Sequence, residues 1–217
     1  HTRYISVTGV QTCALPIYQN GIFYEFDGQT LYAVRRSSTY QLSGFANLTL
    51  GNGTVTGATI NGSSTLFSKQ LVPNDFIVIR GMSYRVVNIA SDTSMTINPP
   101  YRGNANVIFG IVSKTVDTKY AQSTWNLDTC DGTGASGFNI DLTKMQMFYM
   151  DYSWYGAGFI RWGFRSADGN AIYAHKTPNN NLNYEAYMRS GNLPARYETN
   201  TFSKYATLAA KIGRAHV

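Results

Sequence analysis

Short runs in which apolar and polar residues alternate fill most of this chain, and they predict strands. Ile22-Phe23-Tyr24-Glu25-Phe26 and Leu31-Tyr32-Ala33-Val34-Arg35 flank Asp27-Gly28. That is a hairpin pattern, because Asp-Gly accepts the positive φ of a tight connection. Met145–Tyr152 and Gly158–Phe164 are two aromatic runs, and Ser166-Ala167-Asp168-Gly169-Asn170 turns the second into Ala171–His175. These three runs predict consecutive antiparallel strands. Alternation sets Tyr149 and Asp151 on the face opposite Met150 and Tyr152, so one of the two sets is core.

Between the hairpin and the aromatic runs the side chains change character. From Ser43 to Val112 Trp and Tyr are scarce and small residues abundant: Ala46–Leu50, Gly53–Gly57, Asp75–Gly81, Tyr84–Ile89, Thr93–Ile97 and Val107–Val112. About six short strands with a turn every 8–12 residues are implied. The whole predicts an all-β protein, an antiparallel sandwich of residues 18–42 and 113–200 with a small β-barrel or β-sandwich module, residues 43–112, inserted in one loop. Insertion is cheap because loop closure costs little and the termini of an inserted domain lie close together. One continuous sandwich is the alternative. The single helix candidate is Phe202–Ala210, within a short helix or linker at 201–210.

The two ends are of a different kind. Thr12-Cys13-Ala14-Leu15-Pro16-Ile17 back-translates as ACG TGT GCT CTT CCG ATC, and the complementary strand in a shifted frame reads ATC GGA AGA GCA CAC GTC, which encodes Ile212-Gly213-Arg214-Ala215-His216-Val217. Selection on a protein has no reason to make one end the reverse complement of the other, whereas an oligonucleotide ligated to both ends of a DNA fragment does so. Residues 1–17 and 211–217 thus resemble translated sequencing adapter, and are expected not to be native and to take no part in the fold. The native protein is expected to extend further.

Setting those ends aside alters the chemistry on offer. Of 18 basic residues, Arg3, Lys211 and Arg214 go, leaving 15 against 12 acidic ones, and the formal charge falls from +6 to +3. No basic run remains to suggest nucleic-acid binding. His175 and Cys130 become the sole residues of their types, too few for a disulfide or a His/Cys metal cage. No apolar run of about 20 residues predicts a membrane span. No cofactor and no metal is expected.

Several motifs have two readings. Asp128, Asp131 and the glycines of Asp131-Gly132-Thr133-Gly134 could bind a cation, but they lack the carboxylate spacing of an EF-hand loop, and a turn between strands explains them better. His175 lacks a nucleophile motif and reads as a strand-end residue with a satisfied hydrogen bond. Asp141, Asp151 and Glu185 could pair as glycosidase carboxylates only if their separation allows it. The dense aromatics from Tyr149 to Phe164 are core and interface by default, and any exposed remainder is a ligand or subunit surface. Thr177-Pro178-Asn179-Asn180-Asn181-Leu182-Asn183 is a polar loop whose amides either bind glycans or cap strands.

Trp125-Asn126-Leu127-Asp128, Asp131-Gly132-Thr133-Gly134, Ile140–Lys144, Trp154-Tyr155-Gly156-Ala157-Gly158, Asn192–Glu198 and the opening Asn20–Gly28 resemble a virion structural protein of tailed bacteriophages found in environmental DNA. The stretch from Pro73 to Ile97 is similar to small β modules of phage tail and fibre proteins. The resemblance covers about half of the chain and implies a concanavalin-like or jelly-roll sandwich with a role in the particle. It supplies no catalytic residues.

The functional expectation is a non-enzymatic structural or adhesive component of a phage tail or fibre, located in the virion. Its partners would be other virion proteins, further copies of itself and a host-surface glycan, with no nucleic acid and no membrane insertion. A lectin-like module is the alternative, in which Tyr152, Trp154 and Tyr155 stack on sugar and Asn179, Asn180 and Asn181 bind its hydroxyls. A glycan hydrolase or depolymerase is the third reading.

Overall fold

The computed structural model describes residues 19–58, 64–191 and 193. The adapter-like ends, the helix candidate Phe202–Ala210 and most of Asn192–Glu198 lie outside the described residues. What is described is all-β and antiparallel, and it divides into two compact units: residues 19–20 with Ser37–Val116, and Gly21–Arg36 with residues 117–193.

The first unit holds β3 (Phe45–Leu48), β4 (Thr54–Ala58), β5 (Phe76–Ile79), β6 (Met82–Ser91), β7 (Ser94–Asn98) and β8 (Val107–Gly110), each overlapping one of the six runs read from the alternation. Their order in the sheet is β5-β6-β7-β4-β3-β8. Alternation explains the inward set: Ala46 and Leu48 on β3, Val55 on β4, and Met95 and Ile97 on β7 join one buried cluster. Phe67, on the one-turn helix α1 (Phe67–Gln70), closes it. Arg80 and Gly81, which the run Asp75–Gly81 carried into a strand, instead form the two-residue turn between β5 and β6. Both have positive φ, 48° and 79°, as a hairpin turn of matching twist requires.

The second unit is a two-layer sandwich. β1 (Gly21–Phe26) pairs with β2 (Leu31–Gln41), and β9 (Val112–Ala121) lies next to β2 in the sheet. The other layer is β10 (Met147–Tyr152), β11 (Phe159–Arg165) and β12 (Ala171–Pro178), the three consecutive antiparallel strands expected. Tyr24, Leu31 and Ala33 meet Phe148, Ile160, Trp162 and Phe164 in one core. Tyr24 sits 4.8 Å from Phe148 and 5.2 Å from Phe164 between ring centres, and its hydroxyl donates to the carbonyl of Gly163 at 3.0 Å. Rings dominate this core because they bury the most area; the Tyr24 tip finds an acceptor, whereas the buried Trp162 Nε1 has none among the described residues.

The division by contacts falls inside β2 and β9, not at Ser43 and Val112 where the composition changes. Both strands are long, 11 and 10 residues, and continue past the point where their side chains change partners.

Register in β12 is shifted once. Trp162 pairs with His175 and Gly163 with Tyr173, so Ala174 is the extra residue of a bulge. Two successive residues, Ala174 and His175, are therefore buried, and the alternation resumes one step late with Lys176 half-exposed.

Candidate binding surface

The turn between β10 and β11 and the segment after β12 are tied into one body. Gly156 donates to the carbonyl of Ser153 at 2.9 Å, and Tyr187 donates its amide to Gly156 at 2.9 Å. The Tyr187 hydroxyl reaches back to the Ser153 carbonyl. Asn179 is the hub: its backbone N–H donates to Gly158 at 2.7 Å, and its side-chain amide to Glu185 at 2.8 Å and Gly156 at 3.3 Å. Its Oδ1 accepts from Asn183 at 2.8 Å.

This body carries large side chains outward. Trp154 is 63% and Tyr155 83% exposed, and their rings meet edge to face at 5.4 Å. Leu182 and Tyr184, on the tied segment, are exposed as well. Four large exposed side chains thus stand on one braced loop pair, and exposed aromatic and apolar residues of this kind are candidates for a contact site.

The expected site residues part company here. Trp154, Tyr155, Asn180 and Asn181 face solvent. Tyr152 does not join them: it packs against the core with Met150, and its hydroxyl donates to Gly191 at 2.8 Å. Asn179 is only 5% exposed and spends its amide on three loop partners, so it is a brace and not a contact residue. The physical reason is local: the residue that follows β12 must satisfy carbonyls of the adjoining turn, and an amide can serve several partners at once. Leu182 and Tyr184 went unread because the polar run around them carries no strand or helix period.

No protein-family model, curated protein or solved structure matches this chain. Its chemistry is therefore read from its own groups.

The acidic loop after Trp125 consumes its carboxylates internally. Burial works to raise the Asp128 carboxyl, but the amides of Ser136 and Cys130 outweigh it and hold it below the ordinary value. Asp131 is held at about 2 by the hydroxyl and amide of Thr133 and the hydroxyl of Thr129. Among the described residues no three His, Cys, Asp or Glu side chains are gathered as a metal site. Nor is any described helix long and apolar enough to cross a membrane.

His175 differs from its expectation. Its Nδ1 accepts the Asn126 amide at 3.3 Å, and its ring lies 4.3 Å from that of Tyr120, but its buried Nε2 has no partner among the described residues. The bulge puts it there. The three carboxylates weighed as a glycosidase set lie on three different elements. Asp151 on β10 is held by Arg161, Asp141 in the preceding loop caps Thr143, and Glu185 is exposed on the segment after β12.

Proposed function

We propose that this chain is a non-enzymatic structural or adhesive component of a tailed-phage particle, of tail or fibre type, and that it works by surface contact. The observation that carries this reading is the exposed Trp154–Tyr155 pair on a loop body braced by Asn179. Rigid aromatic side chains supply large contact area at small entropic cost, and a braced loop adds little further ordering when it binds. The resemblance of Trp125–Asp128 and Trp154–Gly158 to phage virion proteins supports the particle as its setting.

A carbohydrate ligand is the second reading, favoured by the exposed amides of Asn180 and Asn181 on the segment tied to that pair. Flat pyranose faces stack on rings, and amides donate to and accept from sugar hydroxyls.

A host-surface glycan array, probed with the full chain and with Trp154→Ala/Tyr155→Ala, tests the adhesive role. Binding that the double variant loses while keeping the parent's thermal unfolding supports it. Glycan binding that survives the double variant contradicts it. A chain that binds no glycan but still forms oligomers removes the carbohydrate reading and leaves the structural one.

A further inference from the structure

The outer face of the β10–β11–β12 layer is built from cations seated on rings. The Arg161 guanidinium lies 4.0 Å over the ring of Tyr173 and holds Asp151 with two bonds, Nε to Oδ1 at 2.9 Å and Nη2 to Oδ2 at 2.5 Å. The Tyr173 hydroxyl donates to the same carboxylate at 3.2 Å. Arg165 lies 4.6 Å over Tyr149, and the Lys176 ammonium lies 4.8 Å from the Phe159 ring centre. All of these side chains are half-buried, neither sealed in nor freely solvated. They share the face opposite the core set by alternation, and the bulge at Ala174 brings Lys176 round to it.

Three properties follow. A guanidinium held over a ring by cation–π attraction can still fork its N–H groups onto a carboxylate, and of those on Arg165 one nitrogen, Nη1, donates to the Gly169 carbonyl at 2.8 Å. Such a cation is already positioned, so binding costs little further order. The face is also mixed: Arg161 neutralises Asp151, leaving Arg165 and Lys176 as cations with no carboxylate partner among the described residues, and the phenols of Tyr149 and Tyr173 stand between them.

That mixture favours one class of anion. Lys176 is paired with Arg161, four residues along β11 from Arg165, so these two cations lie about 13 Å apart along the strands at a rise of about 3.3 Å per residue. Duplex DNA brings a charge every 1.7 Å or so along its axis and would crowd phosphates against Asp151. An acidic sugar polymer instead carries one carboxylate per charged ring with hydroxyls between.

We propose that this face binds an acidic polysaccharide, with Arg165 and Lys176 taking its carboxylates and Asp151 and the two phenols meeting its hydroxyls. Arg161 acts as a positioning residue that holds Asp151. The surface is separate from Trp154 and Tyr155, so either one can fail without the other.

The test is calorimetric titration of the full chain with polygalacturonate, its methyl-esterified form, inorganic polyphosphate and duplex DNA at low salt. Polygalacturonate should bind and the esterified polymer should not. Arg165→Gln and Lys176→Gln should each weaken binding by up to about fivefold, the scale of one partly exposed charge. Bound polygalacturonate should also shield Lys176 of the unaltered chain from acetylation, a readout that survives any failure of the variants to fold. The proposal is overturned if polygalacturonate does not bind, if the esterified polymer binds equally, or if polyphosphate or DNA binds more tightly. It is equally overturned if Lys176 acetylation is undiminished, or if Arg165→Gln dissolves a self-association seen by sedimentation, which would make the face a contact between copies.

Discussion

The side-chain amide of Asn179 donates to the backbone carbonyl of Glu185 at 2.8 Å, and this one residue couples the segment after β12 to the β10–β11 turn. Asn179→Ala leaves the carbonyl of Glu185 without its donor and that of Gly156 with the Tyr187 amide alone. A part-buried group so stranded costs about 1–3 kcal/mol. Urea denaturation should show a loss of that order, and hydrogen exchange should show faster opening at 153–158 and 180–187 than in the β10–β12 layer. Uniform acceleration across the layer would contradict the brace.

Stability should fall on mild acidification, and His175 is the cause. Burial holds its imidazole below the ordinary 6.5. Between the folded and unfolded values the unfolded chain binds more protons, so its contribution is full above 6.5 and is lost as pH falls through the folded value. Asp131 and Asp141, held at about 2, lose theirs only below the ordinary 3.8, so the windows separate. Denaturation midpoints followed from about pH 7.5 to about pH 5 should decline in the parent and stay flatter in His175→Gln. Equal slopes would contradict the assignment.

Cys130 should be inert in the folded protein. Burial, with the nearby Asp128 carboxylate, pushes its thiol up to about 12, so almost no thiolate is present at neutral pH. Peptide mass spectrometry after iodoacetamide treatment should find Cys130 unmodified under native conditions and alkylated in denaturant. Rapid native labelling would show that the core around it opens.

Gly163→Ala should destabilise the second unit. A Cβ there would sit 2.3 Å from the Ile172 carbonyl oxygen, where the bulge draws the two strands together. Overpacking of this kind costs about 1–3 kcal/mol. A calorimetric scan should show a lowered transition, whereas an unchanged one would mean that the bulge relaxes freely.

The strands were legible because a half-buried sheet writes its alternation into the chain, and β3, β4, β7 and β10 to β12 all carry it. The bulge was not. Continued alternation from Tyr173 places His175 outward and Lys176 inward, and only the pairing shift at Gly163 reverses them. The outer cationic face was hidden for that reason, since its third cation comes from the shifted half of β12. Trp154 and Tyr155 could be singled out by their ring size beside Gly156. Parity with Met150 left open which set was core, and Tyr152, expected on the ligand surface, turns inward. Asn179 carried no such signal, because a bracing amide and a ligand-binding amide look alike until their partners are placed.

The central claim is that the chain belongs to a phage particle, and the most direct measurement is quantitative mass spectrometry of nuclease-treated, density-purified particles from phage whose genome encodes it. The account predicts peptides from 21–191 in the particle band, in fixed ratio to the other virion proteins. Peptides confined to the soluble lysate and absent from that band would contradict it.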